Sequence, residues 1–117
     1  MNDIKTESLW LMKGDCLERM KEIESESVDA IIADIPYGTT SCKWDSIIPL
    51  EAMWFELKRI IKPKGAIVLF GSQPFTSILI TSNLKMFKYE WIWEKSKSGS
   101  AFTAKYRPVN KHENILV

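Results

Sequence analysis

The stretch that decides the reading of this chain is VDAIIADIPYGTTSCKWD, residues 28 to 45. Four apolar residues, Ala30 to Ala33, run straight into an aspartate, Asp34, and then Ile35, Pro36, Tyr37 and Gly38 follow. A continuous apolar run of this length reads as a strand covered on both faces, the kind found in parallel sheets. Pro36 fixes its own φ and holds Ile35 extended, so the chain leaves the strand as a stiff bracket. The pattern therefore delivers a carboxylate, a backbone carbonyl with no competing proline N–H, and an aromatic ring to one spot.

Outward from this stretch the pattern alternates. Residues 8 to 12 read as a short strand ending at Gly14-Asp15, and residues 16 to 23 have helical spacing with Leu17, Met20 and Ile23 on one face. Residues 50 to 61 form a helix with Met53, Trp54, Leu57, Ile60 and Ile61 inward, stopped by Lys62-Pro63-Lys64-Gly65. Residues 66 to 70 are a second buried strand, and a helix from Pro74 runs to about Leu84. Residues 89 to 94 are a strand, 95 to 110 a polar basic loop, and a strand begins at 115. Strand and helix alternating at this spacing imply an α/β fold with parallel strands and right-handed crossovers. Ligands in such sheets sit outside the carboxyl ends of the strands, so Asp15, Asp34 and Gly71 are expected on one rim.

The 117 residues suit one domain, with 45% apolar residues for a core and 26% charged residues. No apolar run reaches the ~20 residues of a membrane span, and the start MNDIKTESLW lacks a secretory n-region and h-region. A cytoplasmic protein that does not enter a membrane is expected. Cys16 and Cys42 form no CxxC pair, and His112 is the lone histidine, so no metal site is expected and the two thiols read as reduced.

Net charge is +1 but unevenly spread. Residues 1 to 60 hold 7 basic and 12 acidic groups, whereas residues 61 to 117 hold 9 basic and 3 acidic. The second half interleaves Lys85, Lys88, Lys95, Lys97, Lys105, Arg107 and Lys111 with Phe87, Tyr89, Trp91, Trp93, Phe102 and Tyr106. That mixture suits a nucleic-acid backbone and unstacked bases, and equally a solvated surface over an ordinary sheet. Trp44, Trp54, Trp91 and Trp93 read as core or rim packing rather than ligand platforms.

Two acceptors beside an aromatic plane suit a planar NH₂ group. Such an amine is a poor nucleophile because its lone pair is delocalised into the ring. Hydrogen bonds from both its protons favour a tetrahedral nitrogen that can attack an electrophilic methyl in line. Asp34-Ile-Pro-Tyr37 resembles the (Asp/Asn/Ser)-Pro-Pro-(Tyr/Phe/Trp) motif of the DNA adenine-N6 (amino) methyltransferases. GDCLERMKEIESESVDAIIADIPYG, LKRIIKPKGAIVLFGSQPF, EWIWEKSKSGSAF and HENILV resemble successive parts of those enzymes whose catalytic motif precedes their cofactor motif. The resemblance covers almost the whole chain, in the family's order.

It implies a Rossmann-like, S-adenosylmethionine-dependent methyltransferase acting on DNA, of the kind found in restriction–modification systems. By this resemblance Asp34 and the carbonyl at the Ile35–Pro36 step accept from the target amine, making Asp34, Pro36 and Tyr37 the catalytic group. Tyr37 stacks on a flipped base, a contact worth roughly 1–3 kcal/mol. Ile35, Tyr37, Gly38 and Lys95 fall on the substrate side, and Asp15, Cys16 and Asp34 on the cofactor side. Asp15 is also placed to cap the helix that follows it.

Two departures stand out. Ile35 occupies a position where the family usually has proline, and no GxG occurs among glycines 14, 38, 65, 71 and 99, although the family holds its cofactor with a Phe-x-Gly-x-Gly loop. In the resembled subclass that loop lies further on. The chain also stops as an apolar strand begins, in HENILV. Residues 1–117 are therefore expected to be the catalytic part of a C-terminally truncated methyltransferase domain, with an incomplete sheet that lacks the cofactor-loop strands. Alone it is expected to be inactive, to bind S-adenosylmethionine weakly, and to self-associate through the bare edge of the 28–33 strand. The rival expectations are an RNA or protein-glutamine methyltransferase of the same fold, and a non-catalytic remnant that binds DNA or a partner.

Overall fold

The computed structural model describes residues 2–36, 48–94 and 112–117. Its elements are β1 (Ile4–Lys5), β2 (Trp10–Leu11), α1 (Cys16–Arg19) continued by a 3₁₀ turn (Met20–Glu22), β3 (Val28–Ala33), α2 (Leu50–Ile60), β4 (Ile61–Gly71), α3 (Phe75–Ser82), β5 (Glu90–Glu94) and β6 (His112–Leu116).

The main sheet has the order β3-β4-β6-β5. β3 and β4 are parallel, with Ile31 opposite Ile67 and Ala33 opposite Leu69. β6 lies antiparallel between β4 and β5, with Phe70, Ile115 and Trp91 in one row across the three strands. One expectation is corrected here, because the sheet is not wholly parallel. The chain returns in the reverse direction at β6, entering from the rim where β5 ends.

A second correction concerns the N-terminus. The 8–12 strand does not join this sheet, because β2 pairs antiparallel with β1 in a separate two-stranded hairpin. A two-residue strand exposes too few ladder groups to compete with the long β3–β4 pairing, and its nearest partner in sequence is β1. Asp15 therefore follows a hairpin and not a strand of the main sheet.

α2 forms because Met53, Leu57 and Ile60 recur at helical spacing, and all three are buried. It ends at Ile60, and Pro63, which has no N–H to give, forbids continuation. Ile61 pairs with Val28, the chain bulges through residues 62–65, and pairing resumes at Ala66 opposite Ala30. Lys62 in that bulge reaches Asp29 at 2.8 Å. α3 ends at Ser82, two residues before the expected Leu84, which is exposed.

Met53 and Leu57 of α2, Phe75 and Leu79 of α3, Leu69 of β4 and Leu116 of β6 make one core, with Ile31, Ala33 and Ile67 packed against it. Both helices thus lie on the same face of the sheet. The expectation that residues 28–33 are covered on both faces is corrected accordingly. Ile32 is 74% exposed, and Trp91 and Trp93, expected in packing roles, are exposed as well. Trp93 touches the Phe70 ring at 6.2 Å and Trp91 the Tyr89 ring at 5.8 Å, both by tilted contacts.

Arg59 at the end of α2 ties the first third of the chain to this unit. Its guanidinium donates to the carbonyls of Met20 (2.7 Å) and Ile23 (2.8 Å) and to Glu56 Oε2 (2.9 Å). The N–H groups of Glu26 and Ser27 donate to the Arg59 and Ile60 carbonyls, delivering the chain into β3. Glu56 is nearly buried, so losing Arg59 strands a carboxylate as well as two carbonyls. Arg59→Ala is expected to cost about 2–4 kcal/mol in urea unfolding, with the midpoint shifted and the slope unchanged.

Candidate functional site at the carboxyl rim of the sheet

β3 delivers Asp34 to its carboxyl end, one residue beyond the Ala33–Leu69 pairing. Asp34 is exposed, while Ile35 and Pro36 are half-buried and Ile35 packs against the core. The bracket expected from the sequence thus has an apolar anchor on the inner side of an exposed carboxylate. Ile35 supplies that anchor where a proline would supply stiffness. Gly71 closes β4 on the same rim, and β5 ends and β6 begins there. Tyr37, Gly38 and Lys95 lie outside the described residues, as do Cys42 and Trp44.

Gly71 is buried beneath α3, and a Cβ there would meet Thr76 Oγ1 at 2.8 Å, so no larger residue lets the helix approach so closely. Thr76 is buried in turn and donates to Asn114 Oδ1 at 2.8 Å. That bond fixes the amide so that Asn114 Nδ2 donates to Glu90 Oε2 at 3.2 Å. Thr76 and Asn114, neither of which sequence reasoning singled out, therefore join α3, β6 and β5 just below the rim. A threonine two places into an apolar helix was the available signal.

Asp15 does not stand at the main rim through a strand. It caps α1, accepting the Leu17 N–H on Oδ1 at 2.9 Å, while its carbonyl accepts the Arg19 N–H at 2.9 Å. Gly14 precedes it with φ +133°, a turn that a side chain would strain. Cys16 is exposed at the first position of α1; partial shielding by its neighbours, then the Asp15 carboxylate, push its thiol pKa up, so it stays protonated at neutral pH. Among the described residues no hydrogen bond or ion pair joins Asp15 or Cys16 to Asp34.

The hub of this N-terminal segment is Asp3, which the sequence did not reveal. It pairs with the Arg19 guanidinium on both oxygens, accepts the Lys13 N–H at 3.0 Å and the Trp10 indole N–H at 3.3 Å, and so clamps the hairpin to α1.

A cavity lies elsewhere among the described residues. It holds about 490 Å³ at the amino end of β4, between Trp54, Lys58, Ile67, Leu79, Phe87 and Leu116. Its floor is the apolar core, and it is at the opposite end of the sheet from Asp34. The chemistry is better sought at the rim, where an exposed carboxylate stands at the end of a buried strand. Among the described residues no group of three His, Cys, Asp or Glu side chains could hold a metal ion, and no helix is long and apolar enough to cross a membrane.

Comparison with known proteins bears on this rim. No family model matches the chain. The type II methyltransferase M.HpaI of Haemophilus parainfluenzae is 28% identical over 119 residues, covering 92% of this chain and 37% of that protein. M.HinfI of Haemophilus influenzae is 31% identical over 134 residues, covering 91% of this chain and 36% of that protein. Both relatives are type II methyltransferases, matched at modest identity over most of this chain. The chain spans a little over a third of the length of these two relatives.

Solved structures show the same fold. The M1.HpyAVI–SAM complex superposes with a TM-score of 0.57 at 22% identity, over 86% of this chain and 47% of that one. The cytosine-N4-specific PvuII DNA methyltransferase superposes with a TM-score of 0.65 at 16% identity, over 90% of this chain and 46% of that one. The architecture is thus the Rossmann-like methyltransferase fold, of which this chain holds a partial sheet.

The Arg19 guanidinium first, and the Lys13 N–H after it, hold the Asp3 carboxyl well below the usual carboxylate range. Folding therefore favours the ionised form. The stability it contributes is complete above the unfolded value of about 4 and is lost as pH falls below it. Urea midpoints between pH 5 and pH 2 are expected to fall more steeply for the wild type than for Asp3→Asn.

Proposed function

We propose that this chain carries the amine-activating part of a DNA methyltransferase that modifies an exocyclic amine of a flipped base, adenine N6 in first place. The observation that supports it most is Asp34, exposed at the carboxyl end of a parallel strand and followed by the half-buried Ile35–Pro36 bracket, in a chain similar to type II methyltransferases over most of its length. The Asp34 carboxylate accepts a hydrogen bond from one amino N–H and the carbonyl at the Ile35–Pro36 step accepts a hydrogen bond from the other. The nitrogen lone pair is thereby withdrawn from the ring and directed at the methyl group. Tyr37 holds the base by stacking, and Gly38 and Lys95 lie on the substrate side.

The methyl donor in this reading is S-adenosylmethionine, which supplies an electrophilic sulfonium methyl. The relatives' names and the neighbour solved as a SAM complex support it. The described residues fit the donor only in part. Gly65 and Gly71 are closed against Ile61 and Thr76 and offer no cradle, and one oxygen of Asp15 is engaged in its cap. Asp15, Cys16 and Asp34 form the cofactor-facing set in this reading, and residues 1–117 are the catalytic part of a larger domain. Its setting would be restriction–modification in the cytoplasm.

Cytosine N4 is the alternative target, favoured by the fold shared with the PvuII enzyme. A non-catalytic DNA-binding remnant is the other reading, favoured by the closed glycines. The test is transfer of labelled methyl to DNA by protein expressed from the complete reading frame, followed by digestion to nucleosides. Label in N6-methyladenine, reduced about 100-fold or more in Asp34→Ala, is the expected result. Label in N4-methylcytosine moves the target, and undiminished transfer by the variant removes Asp34 from the mechanism.

A further inference from the structure

The cavity at the amino end of β4 has no part in the chemistry at the rim. It holds about 490 Å³, within the range of sites that take small organic molecules. Its floor is Leu69, Leu79 and Leu116, all buried, with Ile67, Ile80 and Phe87 half-buried around them. One wall is the Trp54 ring. The indole N–H donates to Ser82 Oγ at 2.8 Å, and that hydroxyl donates to the Leu79 carbonyl at 2.6 Å. These bonds tie α2 to α3 and satisfy the one polar atom of the ring, so the wall offers carbon to an occupant.

The mouth has the opposite character. Lys58, Lys62, Lys85 and Lys88 stand around it, all exposed, against the single carboxylate of Glu26. Lys62 reaches Asp29 at 2.8 Å, while Lys58, Lys85 and Lys88 have no ion pair among the described residues. Lys58 comes from α2, and Lys85 and Lys88 from the turn between α3 and β5, so the fold and not a basic run of sequence brings them together.

This placement selects the occupant. A nucleic-acid backbone would meet the lysines but has no apolar body for the hollow beneath them. A small inorganic anion would leave Leu69, Leu79 and Leu116 facing water, and an uncharged apolar molecule would leave the cations unmatched. An apolar body that ends in one negative charge matches both floor and mouth. We propose that the cavity binds a free amphiphilic monoanion of the size of a medium-chain fatty acid. Its tail lies on the three leucines beside Trp54, and its carboxylate meets Lys58, Lys85 and Lys88. The floor belongs to the core that α2, α3, β4 and β6 share, so occupancy stabilises the fold. The site is independent of the methyltransferase reading.

The test titrates decanoate, decanol and acetate into the protein expressed from the complete reading frame, by calorimetry. Decanoate is expected to bind at one site and raise the thermal midpoint, decanol to bind at least about tenfold more weakly, and acetate not to bind. The double substitution Lys85→Glu with Lys88→Glu is expected to weaken decanoate at least about tenfold and leave decanol unchanged. Lys64→Glu, exposed but away from the mouth, is expected to change neither. The thermal midpoints without ligand show that both variants fold. Decanoate brominated at the end of its tail is expected to quench tryptophan emission in the wild type and in Trp91→Phe with Trp93→Phe, and to lose most of that quenching in Trp54→Phe.

Absence of decanoate binding, or equal binding of decanol, overturns the proposal. Quenching that survives Trp54→Phe and vanishes with Trp91 and Trp93 puts the ligand on the open face of the sheet and also overturns it. Binding to phosphatidylglycerol vesicles without binding of free decanoate makes a membrane surface the partner. Displacement of decanoate by duplex DNA makes the lysines part of a nucleic-acid footprint. Either result removes the site.

Discussion

A parallel strand pair cannot be closed by a tight turn, and everything here depends on how β3 and β4 are brought together. The connection is α2, and its register on the sheet is set at its last residues. The carbonyls of Arg59 and Ile60 receive the N–H groups of Glu26 and Ser27, while the Arg59 side chain receives the preceding segment at Met20 and Ile23. One residue therefore fixes both where β3 starts and how the N-terminal third lies. Because side chains alternate faces along a strand, that start decides that Ile31 and Ala33 face the core and that Ile32 does not. It also decides where β3 runs out, and hence where Asp34 stands.

The elements visible in the sequence are those with long-range periodic support. The strands read over 28–33 and 66–70, the helix read over 50–61 and the helix after Pro74 were legible because burial imposes a repeat on them, although Ile61 begins β4 instead of ending the helix. β1 was not, since a two-residue strand carries no repeat, and β2 was read as a strand but not as the partner of β1; the pairing of Ile4 with Leu11 is settled by Asp3, Trp10 and Arg19 together. The direction of β6 was illegible for another reason. HENIL has the composition of a strand in either direction, and only the position of its entry relative to β5 makes it antiparallel.

The rim was legible to the same degree. Asp34 and its bracket could be found because an aspartate ends an apolar run and a proline follows within two residues. Asp15 could be found as a cap but was misplaced on the sheet, because its strand was assigned to the wrong ladder. Thr76 and Asn114 escaped notice because their importance lies in meeting each other across 38 positions of sequence, a fact no local pattern encodes. Gly71 was seen as the end of a strand, while its reason, the close approach of Thr76, belongs to the packing of α3.

The misreading of β3 as a strand covered on both faces is the most informative. Ala30 to Ala33 have the composition of a doubly covered strand, and the helices present cover one side only. Composition reports the environment in which a sequence is stable, so the excess apolarity of Ile32, Val68, Trp91 and Trp93 measures a burial that α2 and α3 do not supply. The polar groups argue the same way. Thr76 and Asn114 on the core side are buried and paired, whereas the opposite side offers exposed aromatic rings, with Trp93 against Phe70. A surface meant for water would have spent polar residues there. The sheet is thus covered by helices on the side where its own crossovers run, and open on the side of Ile32. Asp34 stands at the boundary between the two.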